Sequence, residues 1–319
     1  MTTVEGAPAG RGAADVRRGT LMGVGAYTLW GSFPLYFAAL APAGAVEVLV
    51  HRVLWALLAC LVLTLALRQL GAVRGLLADR RRAGWLLAAA ATIALNWGVY
   101  VYAVQSGNVV EASLGYFANP VVTVLLGVLL LGERLRPLQW AAVVLGGLSV
   151  AVISVGEGRL PWIALVLAAS FGVYGLAKNR VGRRTPALAS LTGETLLLAP
   201  LALAALVALE VTGRGTFTAV GPLHTALLVG TGVVTVLPLL LFGAAARRVP
   251  LTTIGLLQYL TPVLQLLLGV LVLGEDVTSA RWAGFALVWL ALLLLTTDTL
   301  RAARHRATLS RSTLSATGV

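Results

Sequence analysis

The sequence predicts an all-α polytopic membrane protein of ten transmembrane helices arranged as two inverted five-helix repeats. Three observations predict it. Hydrophobic residues make up 59% of the 319 and charged residues only 11%, against roughly 45–50% and 25% in soluble domains. The apolar residues fall in long runs separated by short charged turns. A stretch in the first half also realigns, without gaps, on one in the second.

The runs occupy residues 20–40, 44–67, 84–104, 109–131, 137–155, 160–177, 186–208, 223–245, 250–273 and 281–298. At 1.5 Å rise per residue, each is long enough to cross a hydrocarbon layer about 30 Å thick. None shows the alternation over about ten residues that marks a barrel strand, so helices are expected. Residues 1–19 form an expected cytoplasmic tail, with no apolar stretch ending in a cleavage site. The repeats are then 20–155 and 160–298. Residues 299–319, rich in Arg, Ser and Thr, read as a basic, disordered cytoplasmic tail touching headgroups.

The net charge of +12 reports topology rather than nucleic-acid binding. With the N-terminus inside, the cytoplasmic segments hold Arg11, Arg17, Arg18, Arg68, Arg74, Arg80, Arg81, Arg82, Arg134, Arg136, Lys178, Arg180, Arg183, Arg184, Arg247, Arg248, Arg301, Arg304, Arg306 and Arg311. Outer loops hold Arg159, Arg214 and Arg281, and Arg52 lies inside a span. That asymmetry follows the positive-inside rule and puts both termini in the cytoplasm of a cell whose inner membrane the chain crosses. The single cysteine, Cys60, lies in a span and has no disulfide partner.

PVVTVLLGVLLLGE at 120–133 matches PVLQLLLGVLVLGE at 262–275 at 10 of 14 positions, an offset of 142 that also carries Trp140 onto Trp282. The chain is therefore a duplicated unit. Five helices is an odd number, so the second copy enters from the opposite side. Inverted repeats around a midplane site are a construction of secondary transporters, which lets two pseudo-equivalent halves exchange access.

Polar groups in hydrocarbon are costly and call for a role or a partner. Tyr116, Asn119 and Thr123 recur at helical spacing in the fourth span, and the offset puts Gln258, Thr261 and Gln265 in the ninth. Each stripe adjoins a proline, Pro120 or Pro262, expected to break its helix near the midplane. The cavity reading of this set competes with helix-to-helix glue. Glu47, His51, Arg52 and Glu194 are the intramembrane charges. Glu47 and His51 are four apart and share a helix face, a carboxylate beside an imidazole that can carry a coupling proton. Arg52 points about 100° round from His51, toward an anionic group. In the competing reading Arg52 and Glu194 neutralise one another as a structural pair.

Tyr27, Trp30, Tyr36, Asn96, Tyr100, Tyr174 and Tyr259 are further cavity candidates, able to stack on a ligand. Trp85, Trp140, Trp162 and Trp282 start their spans and read as interfacial anchors. Lys178 reads as one more positive-inside charge, and Glu133 and Glu275 as structural turns with gating as the lesser role. Gly19 with Gly23, Gly127 with Gly269, and Gly172 with Gly175 allow close helix approach.

Trp30-Gly31 with Pro34 and Tyr36, His51-Arg52, Asn96-Trp97, ASLGYFANP at 112–120, FGVYGLAKN at 171–179, GET at 193–195 and LLQYLTP at 256–262 resemble the RarD branch of the EamA-type drug/metabolite transporter superfamily. The resemblance covers about residues 18–300. It implies a ten-helix permease with a central cavity built by both halves, and a branch label of chloramphenicol sensitivity that is a phenotype, not a cargo.

The expected function is a secondary transporter or facilitator for a small organic solute: a metabolite, an amino acid or a drug. The alternatives are a proton-coupled multidrug exporter and, behind it, a lipid-modifying enzyme or a scaffold. An enzyme is disfavoured because His51 is the one histidine placed in the interior of a span and no HExxH occurs. No GxxxxGK[ST] phosphate loop is present either. No cofactor or metal is expected. The expected partners are the solute, the bilayer and, as coupling ion, protons. Oligomeric state is left open.

Overall fold

The computed structural model describes residues 13–132, 134–182 and 185–316. Glu133, Arg183, Arg184 and most of the expected N-terminal tail lie outside them. Among the described residues the chain is helical, without strands, in thirteen helices.

The first crossing is α1 (Ala13–Gly31) followed by α2 (Phe33–Ala38). One uninterrupted span was the expectation. Pro34 removes an N–H from the helical ladder at this point, and the Ser32 hydroxyl donates back to the Leu29 carbonyl at 2.9 Å. Nine further segments among the described residues are long and apolar enough to cross, so with the first the count is ten. They begin with α3 (Ala45–Ala66), after which α4 (Leu70–Ala78) packs Val73 and Leu76 against the bundle while Arg74 stays exposed. This interfacial helix escapes a search for long apolar runs.

Helix α5 (Arg80–Gln105) starts under an Asp79 cap that accepts from the Arg81 and Arg82 amides at 3.0 and 3.1 Å. Then come α6 (Val109–Leu131), α7 (Pro137–Glu157), α8 (Trp162–Val181), α9 (Ala187–Val211) and α10 (Pro222–Ala246). The ninth crossing is split into α11 (Leu251–Leu257) and α12 (Leu260–Leu271). Its break falls at Gln258 and Tyr259. The N–H that Pro262 lacks is the one that would bond the Gln258 carbonyl. Pro120, its repeat mate, sits inside an unbroken α6, so the two matched breaks expected from the sequence reduce to one. Finally α13 (Ser279–Ala316) runs through the last crossing and on. The expected disordered tail is therefore helical up to Ala316, in keeping with a stretch of Ala, Arg and Leu that meets no Gly or Pro before Gly318.

The pairing of helices displays the inverted symmetry. α3 packs on α9 and α7 on α13, each helix against its own repeat mate, while α5 packs on α8 as α10 packs on α1. Glycines set the closest approaches. A Cβ on Gly115 would lie 2.7 Å from the Ala164 carbonyl oxygen, and one on Gly232 would lie 2.5 Å from the Trp55 carbonyl carbon. Gly19, Gly23 and Gly172 are similarly crowded, whereas Gly175 faces open space.

Candidate functional site

Polar residues gather at three depths between the repeats. The connections at residues 39–44, 106–108, 158–161, 212–221 and 272–278 mark one face, termed the outer face after the charge pattern. The chain termini and the other connections mark the inner face.

At the outer face, side chains of one repeat cap backbone of the other. Glu47 accepts from the Thr216 amide at 2.6 Å and from its hydroxyl at 3.0 Å, and that hydroxyl also meets His224 Nε2 at 2.8 Å. Glu275 accepts from the Val109 and Val110 amides at 2.6 and 2.8 Å, filling the free N–H groups at the start of α6. Glu111 takes the Ile163 amide at 3.0 Å and the Arg159 guanidinium at 2.9 Å. Arg281 joins it from α13, 2.5 Å from Glu157. Glu111 and Arg281 were not singled out in the sequence; an acid in the first turn of an apolar helix is the signal that would find the first.

This corrects the expectation for Glu47 and His51. The carboxylate is held by the α9–α10 connection, not by the imidazole. His51 accepts instead from Trp55 Nε1 at 3.2 Å and stacks on Phe217 with ring centroids 4.7 Å apart. Its Nε2 is buried with no partner among the described residues. The His51–Trp55–Phe217 side of α3 lines a groove of about 440 Å³ shared with α9.

Deeper in, Arg52 is 3% exposed. The guanidinium carbon lies 4.1 Å from the Trp97 ring centroid, 5.3 Å from Phe37 and 5.4 Å from Phe33, an aromatic cage that favours a cation. Its Nε donates to Thr235 Oγ1 at 2.9 Å. Tyr116 and Tyr100 lie within electrostatic reach. Around this group, Tyr116 donates to Asn96 Oδ1 at 3.1 Å, and Asn96 Nδ2 donates to Ser170 Oγ at 3.0 Å and to the Leu167 carbonyl at 3.1 Å. Tyr100 packs against Tyr116 and Phe37, and its hydroxyl has no partner among the described residues.

Toward the inner face, Glu194 is paired with Lys178, not with Arg52. Nζ of Lys178 lies 2.5 Å from Glu194 Oε1 and 2.5 Å from Ser190 Oγ, and Tyr174 donates to Oε2 at 3.2 Å. The Arg52–Glu194 pair is overturned, while Lys178, read as a positive-inside charge, keeps its place in the last turn of α8 and adds a partner in Glu194. Arg52 lies in the outer half of α3 and Glu194 in the inner half of α9, and no ion pair joins them among the described residues.

The two matched stripes diverge. Thr261 donates to the Tyr27 carbonyl at 2.9 Å and Gln265 Nε2 to the Trp30 carbonyl at 3.4 Å, bonds that fasten α12 to α1 as helix glue. Gln265 Oε1 and Asn119 Oδ1 are buried without partners among the described residues, while Thr123 and Gln258 are exposed. Tyr27, Trp30 and Phe242 form an edge-stacked cluster, Tyr36 donates to the Leu227 carbonyl at 2.5 Å, and Tyr259 is half-buried against the α6–α13 cluster. Trp140, Trp162 and Trp282 are exposed at helix starts, as anchors would be. Trp85 is half-buried with Arg180 over its ring. Trp97 belongs to the Arg52 cage, and Trp289 packs with Phe117 and Phe285.

Comparison with known proteins agrees with this architecture. The EamA-like transporter family matches residues 17–155 and again 160–297. The RarD protein of Streptomyces exfoliatus is 50% identical, over 91% of this chain and 92% of its own. An uncharacterized transporter of Pseudomonas aeruginosa is 46% identical over 92% and 97%, and the RarD protein of Escherichia coli 37% identical over 92% and 98%. A solved crystal structure superposes with a TM-score of 0.57 at 21% identity, covering 89% of this chain and 98% of that one, and so shares the fold. The chain belongs to the EamA-like transporter family, within its RarD branch.

Proposed function

We propose that the protein is a secondary carrier moving a small organic solute across the cytoplasmic membrane, with its repeats, residues 20–155 and 160–298, alternating access to a site around Arg52, Trp97, Tyr100, Asn96 and Tyr116. Both termini are cytoplasmic in this reading. The observation that carries it is the contrast between faces. Outer bonds between the repeats run from carboxylates to backbone amides, at buried Glu47 and Glu111 and half-buried Glu275. Inner ion pairs between the repeats, Arg136–Asp298 at 3.3 Å and Arg248–Asp15 at 3.2 Å, each have a half-exposed partner. Such a pair contributes about 0–1 kcal/mol, while a carboxylate on helix-terminal amides contributes more. The arrangement fits a carrier closed outside, with the inner side free to open.

Several relatives are named transporters, and one from Pseudomonas aeruginosa is named a chloramphenicol-sensitive protein. Amphenicols therefore belong in the solute panel. Of the expected coupling groups, Glu194 is the best placed to exchange a proton, because its partner Lys178 is partly open to the inner side. The test is flux by the purified protein in proteoliposomes, offered amino acids, nucleosides and amphenicols with and without a pH gradient. Uptake that Tyr116→Phe and Asn119→Ala each reduce supports the reading. Folded protein that moves no member of the panel under either condition opposes it.

A further inference from the structure

Arg52 poses a problem of balance. A guanidinium carries five N–H donors and one charge, and inside hydrocarbon an unpaired charge is strongly disfavoured. Here the Nε hydrogen reaches Thr235. The Nη hydrogens meet no hydrogen-bond acceptor, and no carboxylate approaches within ion-pair distance, among the described residues. Four acids of the bundle are engaged elsewhere: Glu47 with Thr216, Glu111 with Arg159, Glu194 with Lys178 and Glu275 with α6. Aromatic faces stabilise the cation but accept none of its in-plane hydrogens.

Tyr100 repeats the pattern. It is 2% exposed, it rests on the same Phe37 as Arg52, and its hydroxyl is without a partner among the described residues. Two buried donors, each incomplete and sharing one aromatic wall, point to a missing acceptor.

We propose that the acceptor is a carboxylate on the transported solute, held by the Arg52 guanidinium and the Tyr100 hydroxyl. The cargo is then a small organic monocarboxylate with an apolar or aromatic body. A planar carboxylate matches the fork of a guanidinium, bond for bond. A single anionic charge neutralises the site, whereas a phosphate dianion would leave an excess charge in the bundle. Trp97, Phe33 and Phe37 supply the apolar wall for the rest of the molecule. This inference deepens the carrier reading and rests on it for the word cargo, though the site itself does not need transport to be tested.

The experiment uses the full chain in nanodiscs and calorimetric binding of three matched pairs: acetate with acetamide, phenylacetate with phenylacetamide, and indole-3-acetate with its amide. At least one acid is expected to bind tenfold or more tightly than its amide, and to lose that preference in Arg52→Gln and most of it in Arg52→Lys, which keeps the charge but not the fork. If Arg52→Gln fails to fold, Tyr100→Phe serves, with an expected three- to tenfold weakening toward the acid alone. No acid preferred over its amide, or inorganic phosphate bound as tightly as the best acid, overturns the proposal. The same pairs are then offered to proteoliposomes. Arg52-dependent binding without flux keeps the anion site and removes the carrier reading; flux of neutral solutes with no acid preference in binding keeps the carrier and removes the anion site.

Discussion

Lys178 on α8 and Glu194 on α9 form an ion pair with Nζ and Oε1 2.5 Å apart, sealed on the acid side and open on the other: the carboxylate is 1% exposed and the lysine side chain 29%. Ser190, one turn before Glu194, donates to the same carboxylate oxygen at 2.8 Å, and Tyr174, one turn before Lys178, to the other at 3.2 Å. The acid therefore has three polar partners and is itself shut away from solvent, while its lysine partner is partly hydrated.

Lys178→Met should cost about 2–3 kcal/mol, because it leaves a buried carboxylate without its cation; the figure stands below the usual range for a fully buried pair because the lysine is partly hydrated. Glu194→Gln, which keeps two hydrogen bonds, should cost less. The double variant Lys178→Met with Glu194→Leu should recover much of the loss. Thermal unfolding in detergent of Lys178→Met, Glu194→Leu and the double variant closes a double-mutant cycle and reads the coupling directly. If Glu194 also carries the coupling proton, Glu194→Gln makes flux insensitive to a pH gradient while the protein stays folded.

The spans were legible in the sequence because hydropathy alone selects them, and the inverted topology because the 120–133 and 262–275 segments still match. Azimuth was not legible. Arg52 and Glu194 could be placed by depth along their helices, but which neighbour each one faces depends on how α3 and α9 rotate, and no run length encodes rotation. The partner of Lys178 was missed for the same reason: its position at a helix end fits a positive-inside charge, and Ser190 with Glu194 and Tyr174 with Lys178, each one turn apart, mark the faces that meet only once α8 and α9 are packed. The repeat itself misled at Pro120, since equal sequence carried the expectation of equal breaks and only the ninth crossing is broken. The cage around Arg52 drew on Phe33 and Phe37 from α2 and Thr235 from α10, none of which stood out beforehand, whereas Arg52 and its neighbours Asn96, Tyr100 and Tyr116 did.

Tyr116→Phe removes one hydroxyl and strands the Asn96 carbonyl oxygen, which is buried and accepts from that hydroxyl at 3.1 Å. The stability loss should be about 1–2 kcal/mol. Flux should fall by more than that loss explains if Tyr116 lines the solute path. Comparing flux per folded molecule with the unfolding midpoint separates the two effects.

Gly232→Ala should be among the most damaging single-carbon additions. The new methyl would meet backbone atoms of Trp55, at 2.5 Å from the carbonyl carbon and 2.6 Å from the oxygen, and backbone cannot rotate away as a side chain can. Forcing α10 off α3 costs about 1–3 kcal/mol by the usual cost of overpacking. It also moves Thr235, one turn on, from Arg52 Nε. Gly175→Ala, whose methyl enters open space, should leave the unfolding midpoint unchanged and so provides the control.

The outer clasps make a conformational prediction. Glu275→Ala and Glu111→Gln together remove the acceptors of the Val109 and Val110 amides and weaken those of Ile163 and Arg159, bonds that join the two repeats. If these hold the outer side shut, the double variant shifts the population toward an outward-open state. Ser113, one turn into α6 and fully buried, reports on it: Ser113→Cys should resist a membrane-impermeant maleimide added outside in the otherwise native chain and react several-fold faster in the clasp variant. The native background is quiet, because Cys60 is buried in α3. Equal rates in both would mean that the outer seal rests on packing at Val109, Val110 and Gly269 rather than on the carboxylates, and that the polar bonds follow closure instead of driving it.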